Sequence, residues 1–365
     1  MRAAICRAPG SLDGLRVEEV ADPTPGADGV VIDVHACGVN FPDVLVMEGK
    51  YQFKPEPPFS PGGEVAGVVS AVGEKVDGIA AGDRVMASAL WGGFAERIAV
   101  SAAAVHAVPH GMDMVTASVL TGAYGTSLHA LRDRAALRAG ETLLVLGAAG
   151  GVGLAAVELG KAMGAYVIAA ASSPDKLALC TERGADAVID YVAEDLRTSL
   201  KSLAGTRSVD VVYDPVGGPY SEPALRTVGW GGRFLVVGFA AGDIPRIPLN
   251  LPLLKGCQIV GVFWGAAVGR DPSLLGRTVE ELGRMWSDGL IRPHVSHVFP
   301  LDQAKEALEM LAARAVRGKL AIVTDAGEDR LRQGAARHRA TDPVSAGGTP
   351  GSASARAARP KPKSC

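Results

Sequence analysis

The chain has 365 residues, of which 48% are hydrophobic and 21% charged, and these fractions, near the average for a folded protein, exclude wholesale disorder. Its 37 basic and 39 acidic side chains give a formal net charge of −2, so no global basic field indicates a nucleic-acid partner. At about 150 residues per domain the length predicts two domains, and no apolar run approaches the roughly 18 residues of a membrane span.

The cysteines favour a reducing compartment. The sequence holds five of them, an odd number, and their wide spacing gives neither a disulfide framework nor a zinc ribbon. The first residues also lack the long apolar core of a signal peptide. We therefore expect reduced thiols and a cytoplasmic protein that has no membrane partner.

Two strand patterns divide the chain. Short strand-like runs at 30–36, 64–73 and 83–87, split by Gly and Pro, are typical of an all-β, barrel-like region. From residue 143 apolar strands alternate with helices, which predicts an α/β fold with a doubly wound parallel sheet. The predicted strands are 143–146, 166–171, 187–189, 209–213 and 234–238, and the predicted helices between them are 152–163 and 174–183.

The last third of the chain ends in a predicted tail. Helices are expected at 273–288 and 301–314, and strands at 295–299 and 319–324. From residue 326 large aliphatic residues almost vanish, so the chain has too little apolar surface to offset the entropy of ordering, and we expect disorder over 326–365. The basic excess of this tail leaves open a second interpretation, a tether to an anionic surface.

A glycine-rich turn follows the strand 143–146. In Gly147-Ala148-Ala149-Gly150-Gly151-Val152-Gly153 the turn opens a helix, whose first N–H groups and dipole favour a diphosphate. Gly150 and Gly151 remove Cβ atoms that would keep a pyrophosphate away, and Gly153 allows close packing of helix and strand. Because such a turn is a weak signal alone, a tight turn without a ligand remains the alternative.

The tip of the next strand predicts which dinucleotide binds. An Asp or Glu is expected there when NAD is preferred, but the sequence has Ala169 to Ser173 without a carboxylate, and Lys176 follows one turn later. Hydroxyls and an ammonium can bind a 2′-phosphate, so we predict NADP as the cofactor. The alternative is that Ser172 or Ser173 only caps the following helix.

Over about residues 1–325 the chain resembles the zinc-free quinone oxidoreductases of the medium-chain dehydrogenase/reductase superfamily. The resemblance implies a GroES-like catalytic domain, a Rossmann cofactor domain, a return to the catalytic domain, and a cleft site between the two. The expected limits are 1–118, 119–265 and 266–325, followed by the tail. A homodimer through the edge of the cofactor sheet, at 259–264, is usual for the family. The blocks that carry the resemblance are 36–43, 61–67, 82–85 and 140–153.

The same resemblance argues against zinc. Zinc alcohol dehydrogenases place a Cys where this chain has Asn40, and Gly-His-Glu where it has Gly62-Gly63-Glu64. A catalytic zinc needs such thiolate and imidazole ligands, so we predict no metal. Without a strong Lewis acid, the expected substrates are small planar acceptors that take hydride easily, such as quinones or conjugated carbonyl compounds.

The resemblance also implies catalytic residues. Asn40 is expected beside the nicotinamide and the substrate, with Asp43 one layer behind it. Tyr51 is expected at the mouth of the cleft, where it would donate a hydrogen bond or proton to the reduced atom, or would only pack against the nicotinamide. The alternative for 40–43 is a turn that caps a helix.

Cofactor contacts follow from the same family. The pyrophosphate is expected against Ala149, Gly150, Gly151 and Val152, and the 2′-phosphate against Ser172 and Lys176. For Phe239, Phe263 and Trp264 among the remaining contacts, core packing is the competing interpretation. Those remaining contacts are Tyr191, Val216, Gly238, Phe239, Phe263, Trp264 and Thr126, although the family's Thr stands four residues before Thr126, at Gly122.

Three functions are compatible with these features. The first is an NADPH-dependent quinone reductase. The second is an enoyl-thioester or 2-alkenal reductase on the same scaffold, because both reactions need only a hydride and a proton. The third is a non-catalytic dinucleotide-binding protein that kept the fold.

Overall fold

The structure, a computed structural model, describes residues 1–204 and 208–328. The predicted tail lies outside these residues except for 326–328. Within the described residues, no helix is long and apolar enough to cross a membrane.

The described residues contain strands that build two large sheets and one hairpin. The strands are β1 (Arg2–Cys6), β2 (Leu15–Glu19), β3 (Gly29–Val39), β4 (Glu64–Val72), β5 (Arg84–Ser88), β6 (Arg97–Ser101), β7 (Val105–Ala107), β8 (Thr142–Leu146), β9 (Tyr166–Ala171), β10 (Ala187–Asp190), β11 (Val209–Asp214), β12 (Val228–Val236), β13 (Gln258–Gly261), β14 (Val295–Pro300) and β15 (Lys319–Val323). The α-helices are α1 (Phe41–Met47), α2 (Met114–Ala117), α3 (Gly125–Leu128), α4 (Gly151–Ala162), α5 (Pro174–Glu182), α6 (Leu196–Ala204), α7 (Ser221–Leu225), α8 (Asn250–Lys255), α9 (Trp264–Arg270), α10 (Ser273–Ser287) and α11 (Ala304–Ala312).

One large sheet is parallel and has six strands, in the order β10-β9-β8-β11-β12-β13. This order, with β8 as the first strand, is the Rossmann order, in which dinucleotides bind where the strand order reverses. All five residues of β8 are buried, because helices cover both faces of such a sheet. The predicted alternation of strands and helices from residue 143 is confirmed here.

The other large sheet joins the two ends of the described chain. Its strands follow the order β14-β15-β3-β4-β5-β7, and β6 also pairs with β3. Strand β15 runs antiparallel to β3, with Leu320 opposite Val39. The chain therefore returns, after the parallel sheet, to the sheet formed by its first third.

Two local predictions are wrong. The edge strand predicted at 259–264 ends at Gly261, because the neighbouring strand β12 ends at Val236, which pairs with Gly261; Trp264 instead begins α9. Residues 325–328 form a helical turn rather than the start of a disordered tail. There a Cβ atom on Gly327 would lie 2.0 Å from the carbonyl oxygen of His35, a tertiary fit that composition does not reveal.

The segment 114–134 was not assigned from the sequence. It forms α2 and α3 with π-helical stretches at Leu120–Tyr124 and His129–Arg134. Most of its apolar side chains are buried, and a helix buried on several sides shows no amphipathic period. Its side chains contact α4: the Ser127 hydroxyl donates to the Val152 carbonyl oxygen at 2.9 Å.

Candidate functional site

The glycine turn connects β8 to α4. Gly147 has a φ of +57°, a left-handed conformation that favours glycine, and Gly150 is the N-cap residue of α4. A Cβ atom on Gly153 would lie 2.3 Å from the Gly147 carbonyl oxygen, so the helix begins directly against the turn. The first N–H groups of α4 lack partners within the helix and face the switch point of the sheet, which fits a pyrophosphate.

A polar loop after β3 forms the second part of the site. Asn40 is the N-cap residue of α1, and its backbone N–H donates to Asp43 Oδ2 at 2.7 Å. The backbone N–H of Gly62 donates to Asp43 Oδ1 at 3.1 Å. Asp43 thus caps the turn and joins it to the loop before β4, in agreement with the capping interpretation. Burial raises the pKa of the Asp43 carboxyl to about 6.

Two charged residues, to which the sequence analysis assigned no role, complete this loop. The side chains of Glu64 and Lys319 are 2% and 5% exposed. The Lys319 ammonium donates to Asn40 Oδ1 and, at 2.9 Å, to the Val39 carbonyl oxygen; it lies 3.8 Å from Glu64 Oε2. Burial lowers the pKa of Lys319, while the charges of Glu64 and Asp43 oppose that change.

The Glu64 carboxylate is surrounded by donors. Its Oε1 accepts from the Gly122 backbone N–H at 2.6 Å and from the Thr121 hydroxyl at 3.1 Å. Its Oε2 accepts from Asn40 Nδ2 at 3.1 Å. Since Gly122 approaches so closely, a Cβ atom there would lie 2.7 Å from Oε2. A threonine side chain at this position would therefore not fit beside Glu64 as it stands.

This donor set does not fit a zinc ion. Asn40 and Gly63 supply neither thiolate nor imidazole, and the cation beside Glu64 is an ammonium of this chain. Among residues 1–204 and 208–328, no group of three or more His, Cys, Asp or Glu side chains could hold a metal.

The glycine turn and the polar loop meet at the start of β15. The Gly318 backbone N–H donates to the Ala149 carbonyl oxygen at 2.7 Å, and Gly318 bridges to Gly150. A Cβ atom on Gly151 would lie 2.9 Å from Lys319 Cδ. Gly318 therefore contacts the turn through its backbone, and the next residue, Lys319, contacts Asn40 through its side chain.

The residues predicted for the 2′-phosphate lie together after β9. Lys176 Nζ donates to Ser172 Oγ at 3.2 Å, and Ser172 opposes the rise in the pKa of the Tyr191 phenol that burial causes. The Tyr191 ring packs against that of Tyr220, with 4.5 Å between centroids. Ser173 is the N-cap residue of α5 but makes no capping hydrogen bond with its side chain, so the capping alternative has no support from Ser173.

The residues predicted for the rest of the dinucleotide lie along the strand tips. A Cβ atom added to Gly147 would lie 2.7 Å from Val216 Cγ2. Val216 therefore lies directly beside the turn. Gly238 donates its N–H to the Asp214 carbonyl oxygen at 3.3 Å, and Phe239 beside it is exposed. Thr126 is half-buried in α3. Their roles in binding stay predictions.

Three aromatic side chains, those of Tyr51, Phe53 and Phe263, form a series of ring contacts. Tyr51 is half-buried, and its ring lies 6.1 Å from that of Phe53, which lies 6.4 Å from that of the exposed Phe263. Trp264 packs against His129, with 5.6 Å between the ring centroids. It is partly buried and packs against the hydrophobic core. Burial, followed by the charge of Asp43, raises the pKa of Tyr51, so its phenol is protonated at neutral pH.

Comparisons with known proteins agree with this architecture. Residues 26–110 match the family of the alcohol dehydrogenase GroES-like domain, and residues 151–277 match the family described as zinc-binding dehydrogenase. Both matches confirm the predicted combination of a GroES-like domain with a Rossmann-type domain.

Individual relatives are also similar along most of their length. The quinone oxidoreductase-like protein 2 homolog of Nematostella vectensis is 40% identical over 302 residues, which are 82% of this chain and 82% of that protein. The crystal structure of Escherichia coli quinone oxidoreductase complexed with NADPH is 27% identical, with a TM-score of 0.82 over 88% of this chain and 100% of that one. The CurK enoyl reductase structure is 27% identical, with a TM-score of 0.81 over 88% and 99%.

The burial of Asp43 predicts a pH-dependent effect of Asp43→Asn on stability. Because the carboxyl has a higher pKa in the folded than in the unfolded chain, the folded state binds more protons between pH 4 and 6, and this group lowers stability as the pH rises. The free energy of unfolding of Asp43→Asn, relative to wild type, should therefore rise from pH 4 to pH 7 by up to about 3 kcal/mol. Urea titrations at several pH values measure this difference, and a pH-independent difference would contradict the prediction.

Proposed function

We propose, from the premise that this chain belongs to the quinone oxidoreductase family of the medium-chain dehydrogenase/reductase superfamily, that it transfers hydride from NADPH to a quinone without zinc. The observation that carries the proposal is the junction at β15, where the glycine turn and the Asn40 loop contact one segment. A dinucleotide bound at the turn would extend toward this loop. When bound, NADPH supplies the hydride.

The chain's own residues would bind and orient the reactants. The N–H groups at the start of α4 would hold the pyrophosphate, and Asn40 would lie beside the nicotinamide. Tyr51, with its raised pKa, would hold a proton at its hydroxyl oxygen and donate it to the reduced atom. Positioning of this kind can lower the barrier by several kcal/mol.

A metal-independent reaction agrees with the donors around Glu64. The ammonium of Lys319 neutralises this carboxylate, and Asn40 and Gly63 supply neither thiolate nor imidazole to hold a zinc ion that would polarise an alcohol oxygen. Quinones and conjugated carbonyl compounds accept hydride without a strong Lewis acid. The neighbouring aromatic rings of Tyr51, Phe53 and Phe263 would pack against planar molecules of this type.

Reduction of a C=C bond is the second candidate. It is favoured by the similarity to an enoyl reductase structure, and it would use the same hydride and the same Tyr51 proton. A third possibility, a dinucleotide-binding protein without catalysis, would keep the turn but need no proton donor.

An acceptor panel separates these functions. NADPH oxidation by the purified chain is measured with 9,10-phenanthrenequinone, a 2-alkenal and an enoyl-CoA, and zinc is measured in the same sample. We expect the highest kcat/KM with the quinone and substoichiometric zinc. A higher kcat/KM with the alkenal or enoyl-CoA would favour the second candidate, and NADPH binding without turnover would favour the third.

Tyr51→Phe tests the proton donor. We expect kcat to fall about 100-fold with the preferred acceptor, while the Kd for NADPH stays within a few-fold, because the ring still packs in the cleft. Steady-state kinetics and fluorescence titration measure the two quantities. An unchanged kcat on both a quinone and a 2-alkenal would end the proposed acid role.

We also propose NADPH over NADH. Lys176 and Ser172 form a polar pair at the tip of β9, and Arg314 acts electrostatically on the neighbouring Tyr191. No carboxylate occupies the tip itself, which ends in alanines and serines. A 2′-phosphate would find hydrogen-bond donors and positive charge there.

Lys176→Ala tests this preference. Since a hydrogen bond to a charged group contributes about 1.5–3 kcal/mol, we expect kcat/KM for NADPH to fall roughly 10-fold or more and kcat/KM for NADH to stay unchanged. Lys201→Ala, which removes an exposed lysine from α6, is the matched control. Equal losses with both cofactors, or a wild type that prefers NADH, would contradict the assignment.

We also propose the domain limits 1–118, 119–265 and 266–325, and a homodimer. Strand β13 is an edge of the parallel sheet, Ile259 on it is exposed, and Leu253 and Leu254 of the preceding helix α8 are more than two-thirds exposed. An open edge with apolar neighbours is a template for pairing with a second copy. We propose that two chains join through β13.

Ile259→Lys should weaken this dimer. A charge on an edge strand opposes edge-to-edge pairing, so sedimentation equilibrium should show a rise in the dimer dissociation constant of at least about tenfold. Val192→Lys, at an exposed position after β10 on the opposite side of the sheet, is the control. A dimer that resists the first change, or a monomeric wild type, would contradict the proposed interface.

A further inference from the structure

The hydrogen bonds around Asn40 define which way its amide faces. Lys319 Nζ has only protons to donate, so the atom that contacts it must be the amide oxygen, Oδ1. The amide nitrogen donates to Glu64 Oε2 at 3.1 Å and to the Gly38 carbonyl oxygen at 3.3 Å. Both N–H groups of Asn40 are therefore used inside the protein, so any further hydrogen bond of the amide would be accepted at Oδ1.

The surroundings oppose a rotated amide. Rotation by 180° would place the NH2 group against the Lys319 ammonium and the oxygen against the Glu64 carboxylate. Neither charged group is free to adjust, since Lys319 also donates to Val39, and Glu64 accepts from Gly122 and Thr121. Both charges are buried, and repulsion between buried groups is weakly screened.

We propose that Lys319 is a positioning residue, which holds the Asn40 amide so that Asn40 meets a ligand as a hydrogen-bond acceptor and never as a donor. The proposal rests on the proposed function in one respect, namely that the nicotinamide nucleotide is the ligand beside Asn40. Groups that such a ligand can offer to an acceptor are its carboxamide N–H and its ribose hydroxyls. A quinone or enone oxygen, which only accepts, needs its donor elsewhere, and Tyr51 is the candidate.

A double-mutant cycle tests the dependence of Lys319 on Asn40. If Lys319 acts through Asn40, Asn40→Ala and Lys319→Met should each lower kcat at least tenfold, and the double variant should be no slower than the slower single one. The KM for the acceptor should change less than threefold in all three. Lys305→Met, at a partly exposed lysine on α11 paired with Asp13, should keep the wild-type kcat. Effects that multiply in the double variant would overturn the proposal.

Removal of one buried charge can prevent folding, so a second variant removes both. Glu64→Gln with Lys319→Met removes both charges of the pair, and it should still lose at least tenfold in kcat, because the two charges that oppose a rotated amide are then absent. A wild-type kcat in this variant would overturn the proposal.

A readout without turnover separates this proposal from the proposed function. The side-chain amide of Asn40, assigned in 15N spectra by its loss in Asn40→Ala, should exchange its protons with solvent at least tenfold faster in the Glu64→Gln, Lys319→Met variant than in wild type. If wild type reduces no acceptor but the Asn40 amide exchanges faster in the double variant, the proposed function fails and the positioning role stands. Unchanged exchange would overturn the positioning role, whatever the activity.

Discussion

A buried ammonium connects the parts of this protein. A charge with 5% exposure is costly to bury unless it is paired and hydrogen-bonded, and Lys319 satisfies that condition only with partners from the end of β3, the loop before α1 and the start of β4. Because each partner sits on a different element, the pairing fixes β15 against β3, the turn around Asn40 and the position of Glu64 at once.

The start of β15 also connects the glycine turn to the loop that contains Asn40. Gly318, the residue before Lys319, adopts a φ of +76° and bonds to the glycine turn, so the turn and the amide of Asn40 cannot shift independently. The ammonium of Lys319 supplies the positive charge beside Glu64.

The sequence predicted the parts of the molecule whose signals are local. Strand β8 and helix α4 are adjacent in sequence and contain their own period and turn glycines, so both were placed within about one residue. Ser172 and Lys176 follow from the residues at the tip of β9 and Tyr191 from the family resemblance, and the three lie together. By contrast, Lys319 was predicted only as the first residue of an apolar strand, since its partners lie 279 and 280 positions away.

Two charged residues at strand starts carry a further signal in the sequence. Glu64 is a carboxylate at the start of a strand-like run whose first four residues are buried, and a lysine likewise opens the apolar strand β15. One acid and one base at such positions indicate a buried pair. Trp264 was misplaced for a different reason. Strand length depends on the neighbouring strand, and the end of β12 at Val236 cannot be read from the residues of β13.

The distance along the chain between Val39 and Lys319 has a consequence for biosynthesis. During translation the residues of β3 and β4 leave the ribosome long before β15 exists. Until then, Glu64 has no cation to neutralise it, and the glycine turn lacks its partner at Gly318. The ion pair of Glu64 and Lys319 and the hydrogen bond between Gly318 and the glycine turn can therefore form only after β15 has been synthesised.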